Sequence, residues 1–135
     1  MRQLFVFSFL LLTACSTILS VDEPPPPKAG MSQIIFWHVG TSLPWVGSAV
    51  IEINGERVAS LGTHERYFQD IKPGHTVLSV SGSLITVGHH TIGFDAQPDT
   101  VYRLNIQSYG ETGTDLSDDY KVTEAAGPFR FRKGN

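Results

Sequence analysis

The sequence predicts an all-β fold, an antiparallel β-sandwich of about seven to nine short strands. From Met31 onward, Gly or Pro interrupts nearly every window in which an amphipathic helix could form. Apolar residues alternate with polar ones instead, in short segments at regular spacing. These two observations favour packed sheets over any helical fold.

The strands are predicted from alternation. In residues 46–53, Ala49, Ile51 and Ile53 share one face, and Glu52 lies on the other. One face of each sheet should therefore be exposed to solvent. The predicted strands are residues 33–39, 46–53, 57–61, 66–71, 75–81, 84–87, 91–95, 101–107 and 120–123, and a last short strand carrying Phe129 and Phe131.

Three turn signals separate these segments. Asn54-Gly55 supplies the two positive φ values that a type I′ hairpin turn needs. Pro73-Gly74 has the chemistry of a type II turn, because Pro fixes φ and Gly tolerates a positive φ. A third turn is expected at Pro98. We interpret the first two as hairpins.

The first 14 residues have the features of a bacterial signal peptide. Arg2 precedes an apolar run at residues 4–12, which is too short to span a bilayer, since spanning takes about 20 residues. Leu12-Thr-Ala14-Cys15 resembles the lipobox of bacterial lipoproteins. This resemblance implies cleavage between Ala14 and Cys15, acylation of Cys15 with palmitate-type chains, and stable membrane attachment.

Residues 15–30 are expected to form the lipidated Cys and a Pro-rich tether, and residues 31–135 the β-sandwich domain. Pro24 to Pro27 favour an extended polyproline II conformation and offer no backbone donors to a sheet. The tether is therefore expected to act as a spacer and to be dispensable for folding. Ser16, in place of the Asp typical of inner-membrane retention, indicates the outer membrane, with the domain facing the periplasm.

Residues 32–107 resemble a domain-of-unknown-function family of small bacterial lipoproteins, with partial similarity to PEGA-type surface β-domains. The segments that carry it are residues 34–39, residues 51–61 around Asn54-Gly55, Tyr67-Phe68, residues 72–77 and residues 99–102. The resemblance implies an Ig-like or PEGA-like sandwich anchored in the envelope, without an established enzymatic activity. It carries over no catalytic residues, and residues 109–135 depart from its pattern.

Composition excludes several classes of function. Ten Lys and Arg against 13 Asp and Glu give a net charge of -3, which does not favour nucleic-acid binding. The single Cys excludes an intrachain disulfide. We therefore expect membrane lipid, through acylated Cys15, and an envelope protein or glycan as partners, and no nucleic acid.

Five histidines raise the question of a metal site. No His-x₃-His or Cys-x₂-Cys spacing is present, and adjacent residues in a strand point to opposite faces. We expect no metal and no cofactor, with His38 near the core and the others on the surface or in turns. The histidines are His38, His64, His75, His89 and His90.

Other candidate chemistry is equally sparse. Asp115, Asp118 and Asp119 lack the spacing of a calcium loop, so a solvated acidic loop is favoured. Neither Ser48 nor Ser83 lies in a Gly-x-Ser-x-Gly elbow. No paired carboxylates suited to glycan cleavage can be nominated. The sequence therefore predicts no catalytic residues and no enzyme.

A binding surface is the remaining possibility. Trp37 is expected to pack in the core, whereas Trp45, beside Pro44, is the first choice for a binding loop. The acidic loop with Asp118 and Asp119 and the basic tail with Arg130 and Arg132 come second. The predicted function is a non-enzymatic, lipid-anchored envelope protein that binds or braces another envelope component. The alternative is an inhibitor of a lysozyme-like or other enzyme, acting through His89-His90 or Asp118-Asp119.

Overall fold

The structure is a computed structural model that describes residues 23–40, 44–84 and 88–135. This part of the chain contains nine β-strands and no helix, so the all-β prediction is confirmed. The strands are β1 (Ser32–His38), β2 (Ala49–Ile53), β3 (Glu56–Leu61), β4 (Arg66–Ile71), β5 (Gly74–Gly82), β6 (His90–Ala96), β7 (Val101–Ser108), β8 (Lys121–Ala125) and β9 (Phe129–Lys133).

The strands form two sheets. The four-stranded sheet has the order β4-β1-β7-β9, and the five-stranded sheet has the order β3-β2-β5-β6-β8. All neighbours are antiparallel except β1 and β7, which run parallel. This parallel pair is possible because β2 to β6 lie between the two strands in sequence and provide the long return path that a parallel pair requires.

The core lies between the two sheets. The four-stranded sheet contributes Ile34, Phe36 and Ile106, and the five-stranded sheet contributes residues such as Leu78 and Ile92, all fully buried. Phe36 also contacts Phe131 of the last strand, with ring centroids 6.1 Å apart. The predicted last strand is therefore confirmed, and its two Phe rings, each at most 2% exposed, belong to the core.

The predicted hairpin at Asn54-Gly55 is confirmed. Asn54 has φ 51° and Gly55 has φ 83°, and β2 pairs with β3 directly across this two-residue turn. The Asn54 side chain also accepts a hydrogen bond from the Val77 backbone N–H at 2.9 Å. The turn is thereby held to β5, the other neighbour of β2.

Gly55→Val is expected to lower the free energy of unfolding by about 1 kcal/mol or more. A Cβ at Gly55 would meet no atom within 4 Å, so the cost comes from the positive φ alone. Glu56→Val, at the adjacent exposed strand position, is the matched control and should shift stability by less than about 0.5 kcal/mol. If the two variants unfold at the same urea midpoint, the positive φ of Gly55 is not the source of the lost stability.

The hairpin interpretation of Pro73-Gly74 is wrong. Gly74 has the expected positive φ, at 122°, but β4 and β5 belong to different sheets. The turn therefore carries the chain from one sheet to the other. The turn at Pro98, which joins β6 to β7, also crosses between the sheets.

Most predicted strands agree with the structure to within two residues at each end, and two depart further from it. The segment at 46–53 becomes regular only at Ala49, because Val46 lies in a turn and Gly47 has φ 76°. Leu84 lies in a bend and not in a strand, and the rest of the segment predicted at 84–87 falls outside the described residues.

The described part of the predicted tether is bound to the domain. Lys28 N–H donates to Asp70 Oδ2 at 3.3 Å, and Gly30 N–H donates to Asp99 Oδ1 at 2.8 Å. Proline has no N–H but keeps its carbonyl oxygen, and that of Pro25 accepts a hydrogen bond from Gln33 Nε2 at 2.8 Å. Residues 23–30 therefore form a strap against the four-stranded sheet.

Within the described ranges, no helix is long and apolar enough to cross a bilayer. The predicted signal peptide, its cleavage site at Ala14 and the acylation site at Cys15 lie outside these ranges.

Candidate functional site

A groove lies on the outer face of the four-stranded sheet. Alternation along β1 turns Ile34, Phe36 and His38 toward the core, which leaves Ile35 and Trp37 on the outer face. The prediction that Trp37 packs in the core is therefore wrong. The neighbours paired with Ile35 and Trp37 share this face with them and complete the floor: Arg66 and Phe68 from β4, and Arg103 and Asn105 from β7.

The groove combines aromatic and cationic side chains. The Arg66 guanidinium carbon lies 4.3 Å from the centre of the Trp37 ring, in a cation–π contact. Phe68, two residue pairs further along the sheet and on the same face, is 45% exposed. Opposite it across β1, Arg103 is exposed and forms no ion pair within the described part of the chain. The groove thus combines an exposed aromatic residue with an exposed guanidinium.

The strap forms one wall of the groove. Glu23, Pro24 and Pro25 line it, and the cavity volume is about 1000 Å³. The base of the strap is fixed by Gln33, whose amide reaches both the Pro25 carbonyl and, at 3.2 Å, the Asp70 carboxylate. Gln33 is 2% exposed, so these bonds satisfy a buried polar group. The groove is therefore built jointly by the sheet and by the segment that precedes it.

Trp45 lies outside the groove, in the connection between the end of β1 and the start of β2. It is 61% exposed, as expected for a binding loop, and Leu84 on the adjacent loop is 68% exposed. The two loops are joined by a hydrogen bond from Leu84 N–H to the Val46 carbonyl at 3.1 Å. Residues 41–43 and 85–87 are outside the described ranges.

Arg130, predicted as part of a binding surface, is occupied by its own chain. Its guanidinium donates to the carbonyl oxygens of Ala125, Ala126, Gly127 and Phe129 at 2.9–3.1 Å. Its guanidinium carbon also lies 4.6 Å from the centre of the Tyr109 ring. Arg130 therefore closes the loop between β8 and β9 and is not available as a binding cation.

The remaining predicted surface residues lie elsewhere. Arg132 pairs with the Asp115 carboxylate, and both line a cleft between β8 and β9 that also contains Asp118. Asp119 lines two further depressions, one of them with His75 and Lys121. The structure does not bring Trp45, the two aspartates and the two arginines into one surface.

The histidine predictions are partly wrong. His38 is fully buried as expected, and its Nδ1 lies 3.0 Å from the Leu61 carbonyl oxygen. His90, expected on the surface, is only 5% exposed, and its Nδ1 accepts a hydrogen bond from the Phe131 N–H at 3.1 Å. Alternation along β6 explains this, because His90 shares the inner face with Ile92 and Phe94.

The His90 ring is held neutral. Burial, together with the nearby charges of Arg130 and Arg132, lowers the pKa of His90 from 6.5 to about 4. His75, by contrast, is exposed and lies 3.4 Å from the Asp95 carboxylate on the five-stranded sheet. In the described ranges, no three His, Cys, Asp or Glu side chains are placed so that they could hold one metal ion.

Sequence reasoning missed the groove because residues 34–37 are all apolar. Alternation could not decide whether Ile35 and Trp37 or Ile34 and Phe36 face the core. One signal was present in β7, where Arg103 and Asn105 alternate with Leu104 and Ile106 and so mark the wet face. The parallel pairing of β1 with β7, which puts that wet face beside Trp37, is not visible in the sequence. No protein-family model, curated protein or solved structure shows significant similarity to the chain.

Proposed function

We propose that this chain is a lipid-anchored, non-enzymatic protein of the bacterial outer membrane, and that its groove binds another component of the envelope. The observation that carries the binding role is the groove beside Trp37 and Phe68, an aromatic and cationic concave surface next to the strap. Small-ligand sites in proteins are concave, mostly apolar and equipped with a few polar groups, and this groove has that character. The anchor is supported by the lipobox pattern at Cys15.

No observation favours the inhibitor alternative. An inhibitory loop must insert an exposed polar side chain into an active site, and His90 is buried against Phe131. Asp118 and Asp119 are exposed, but Asp118 lines the cleft between β8 and β9 and Asp119 lines two neighbouring depressions.

Cys15→Ser is expected to abolish acylation and leave an uncleaved or mislocalised precursor, because the thiol is the acceptor of the lipid. The measurement is metabolic labelling with an alkyne fatty acid, combined with fractionation of washed membranes. Ser16→Ala is the matched control and should be acylated normally. A Cys15→Ser protein that is fully processed and remains bound to membranes after a high-salt wash would contradict the anchor.

A photo-crosslinking amino acid at position 68 is expected to form adducts with an envelope component in living cells. The same amino acid at position 122 is the control, since Val122 on the other sheet is 47% exposed against 45% for Phe68. We expect at least tenfold more ultraviolet-dependent adduct from position 68, measured on immunoblots of the full-length protein. Equal adduct from both positions would show that the groove is not the binding surface.

A further inference from the structure

The floor of the groove restricts the kind of ligand that can bind. Its central strand, β1, is hydrogen-bonded to β4 on one side and to β7 on the other. A peptide bound by strand addition needs an unpaired strand edge, which β1 does not have; within the described ranges the outer edge of β4 is unpaired and borders the groove, so the floor over β1 offers only side chains. Recognition there depends on the outward side chains.

Those side chains suit a sugar ring. Phe68 is 45% exposed, and the C–H face of a pyranose can stack on an exposed aromatic ring. Asn105 offers an amide donor and acceptor for hydroxyl groups, and its amide nitrogen lies 3.5 Å from the Lys133 carbonyl oxygen, at the limit of a hydrogen bond. A cavity of about 1000 Å³ reaches the upper end of the usual range for small-molecule sites and has room for a short oligosaccharide.

The cations indicate the charge of the ligand. Arg66 is positioned by its stacking on Trp37, whereas Arg103 has no ion-pair partner in the described ranges. A planar guanidinium can donate two parallel hydrogen bonds to a carboxylate, which adds orientation as well as affinity. Among the described residues that line the groove, Glu23, on the strap wall, is the one with a carboxylate side chain.

We propose that the groove binds an acidic oligosaccharide, a glycan whose rings carry carboxylates, with one ring stacked on Phe68 and its carboxylate on Arg103. This assignment rests on the proposed function and names the chemistry of its ligand. The contributing residues are far apart in the sequence, because β4 supplies the ring and β7 supplies the cation. They lie on one surface because both strands pair with β1.

The test uses purified full-length protein carrying Trp45→Phe, so that Trp37 is the only tryptophan. Titration with oligogalacturonate, with alginate oligomers and with peptide-free peptidoglycan strands, all of which carry carboxylates, is followed by Trp37 fluorescence. We expect saturable binding of at least one of them. Its carboxyl-reduced form and Arg103→Ala should each weaken the affinity at least tenfold. Arg57→Ala, an exposed arginine on β3, is the matched control and should leave the affinity within twofold.

Several outcomes would overturn the proposal. Binding that survives reduction of the carboxyl groups would show that the ligand is not recognised as an acid. Binding of tetraglutamate as tight as that of the sugar would indicate an acidic peptide instead. Failure of all three glycans would refute the acidic glycan, while adducts at position 68 in cells would still support the proposed binding role. Absence of both glycan binding and adducts at position 68 would refute the glycan proposal and the proposed binding role together.

Discussion

Replacing Phe131 by alanine is expected to lower the free energy of unfolding by about 4 kcal/mol, within the range of about 3–5 kcal/mol observed for large aromatic residues in cores. Phe131 is 2% exposed and packs against Phe36 of β1 and His90 of β6, so it joins the two sheets. Its removal would leave a cavity that neither sheet can fill alone. Urea unfolding followed by circular dichroism measures the change.

Two further variants serve as controls for this prediction. Phe131→Leu keeps most of the volume and should cost less than about 2 kcal/mol, which gives a measurable protein if the alanine variant fails to fold. Val122→Ala, at an exposed position on β8, should change stability by less than about 0.5 kcal/mol. A loss below 1 kcal/mol for Phe131→Ala would mean that β9 is not an integral part of the sandwich.

Acidification is expected to destabilise the protein through His90. In the unfolded chain His90 binds a proton as the pH falls through about 6.5, whereas in the folded protein it does so only near pH 4. The unfolded state therefore binds more protons between these values, and the free energy of unfolding falls as the pH is lowered across them. The full contribution is present above pH 7, and about 3 kcal/mol of it is lost by pH 4.

The physical cause is the burial of His90, to which the charges of Arg130 and Arg132 add, and its Nδ1 accepts a hydrogen bond from the Phe131 N–H, a role open only to an unprotonated nitrogen. His90→Gln offers a carbonyl acceptor that does not titrate, so its stability should depend less on pH between 4.5 and 7. His75→Gln, at an exposed position, should retain the wild-type pH profile. A His90→Gln variant with an unchanged profile would place the acid sensitivity elsewhere.

The fold was largely predictable because local rules dominate it. Asn54-Gly55 determines its hairpin through φ alone, and alternation in β7 correctly separated the buried from the wet face. The turn at Pro73-Gly74 was predicted as a positive φ, but its role was misjudged. A local signal describes the turn and not the sheet to which the next strand belongs.

The groove could not be predicted, because local signals do not show which strands become neighbours in a sheet. Trp37, Phe68 and Arg103 come from three strands whose adjacency depends on long-range pairing, including the parallel contact between β1 and β7. His90 illustrates a second difficulty. A histidine among polar neighbours reads as a surface residue, yet here it satisfies the free N–H of strand β9. Only the tertiary arrangement reveals that acceptor role.

The strap has a consequence for how a ligand is encountered. Glu23 lies in the wall of the groove and is eight residues beyond Cys15, so the proposed acyl anchor at Cys15 would hold this wall within about 28 Å of the bilayer surface, the span of eight extended residues. Confinement to so thin a layer would raise the effective concentration of the protein toward any ligand attached to the same membrane, into the millimolar range typical of short linkers. A weak intrinsic affinity then suffices for occupancy, and ligands free in the bulk compete poorly.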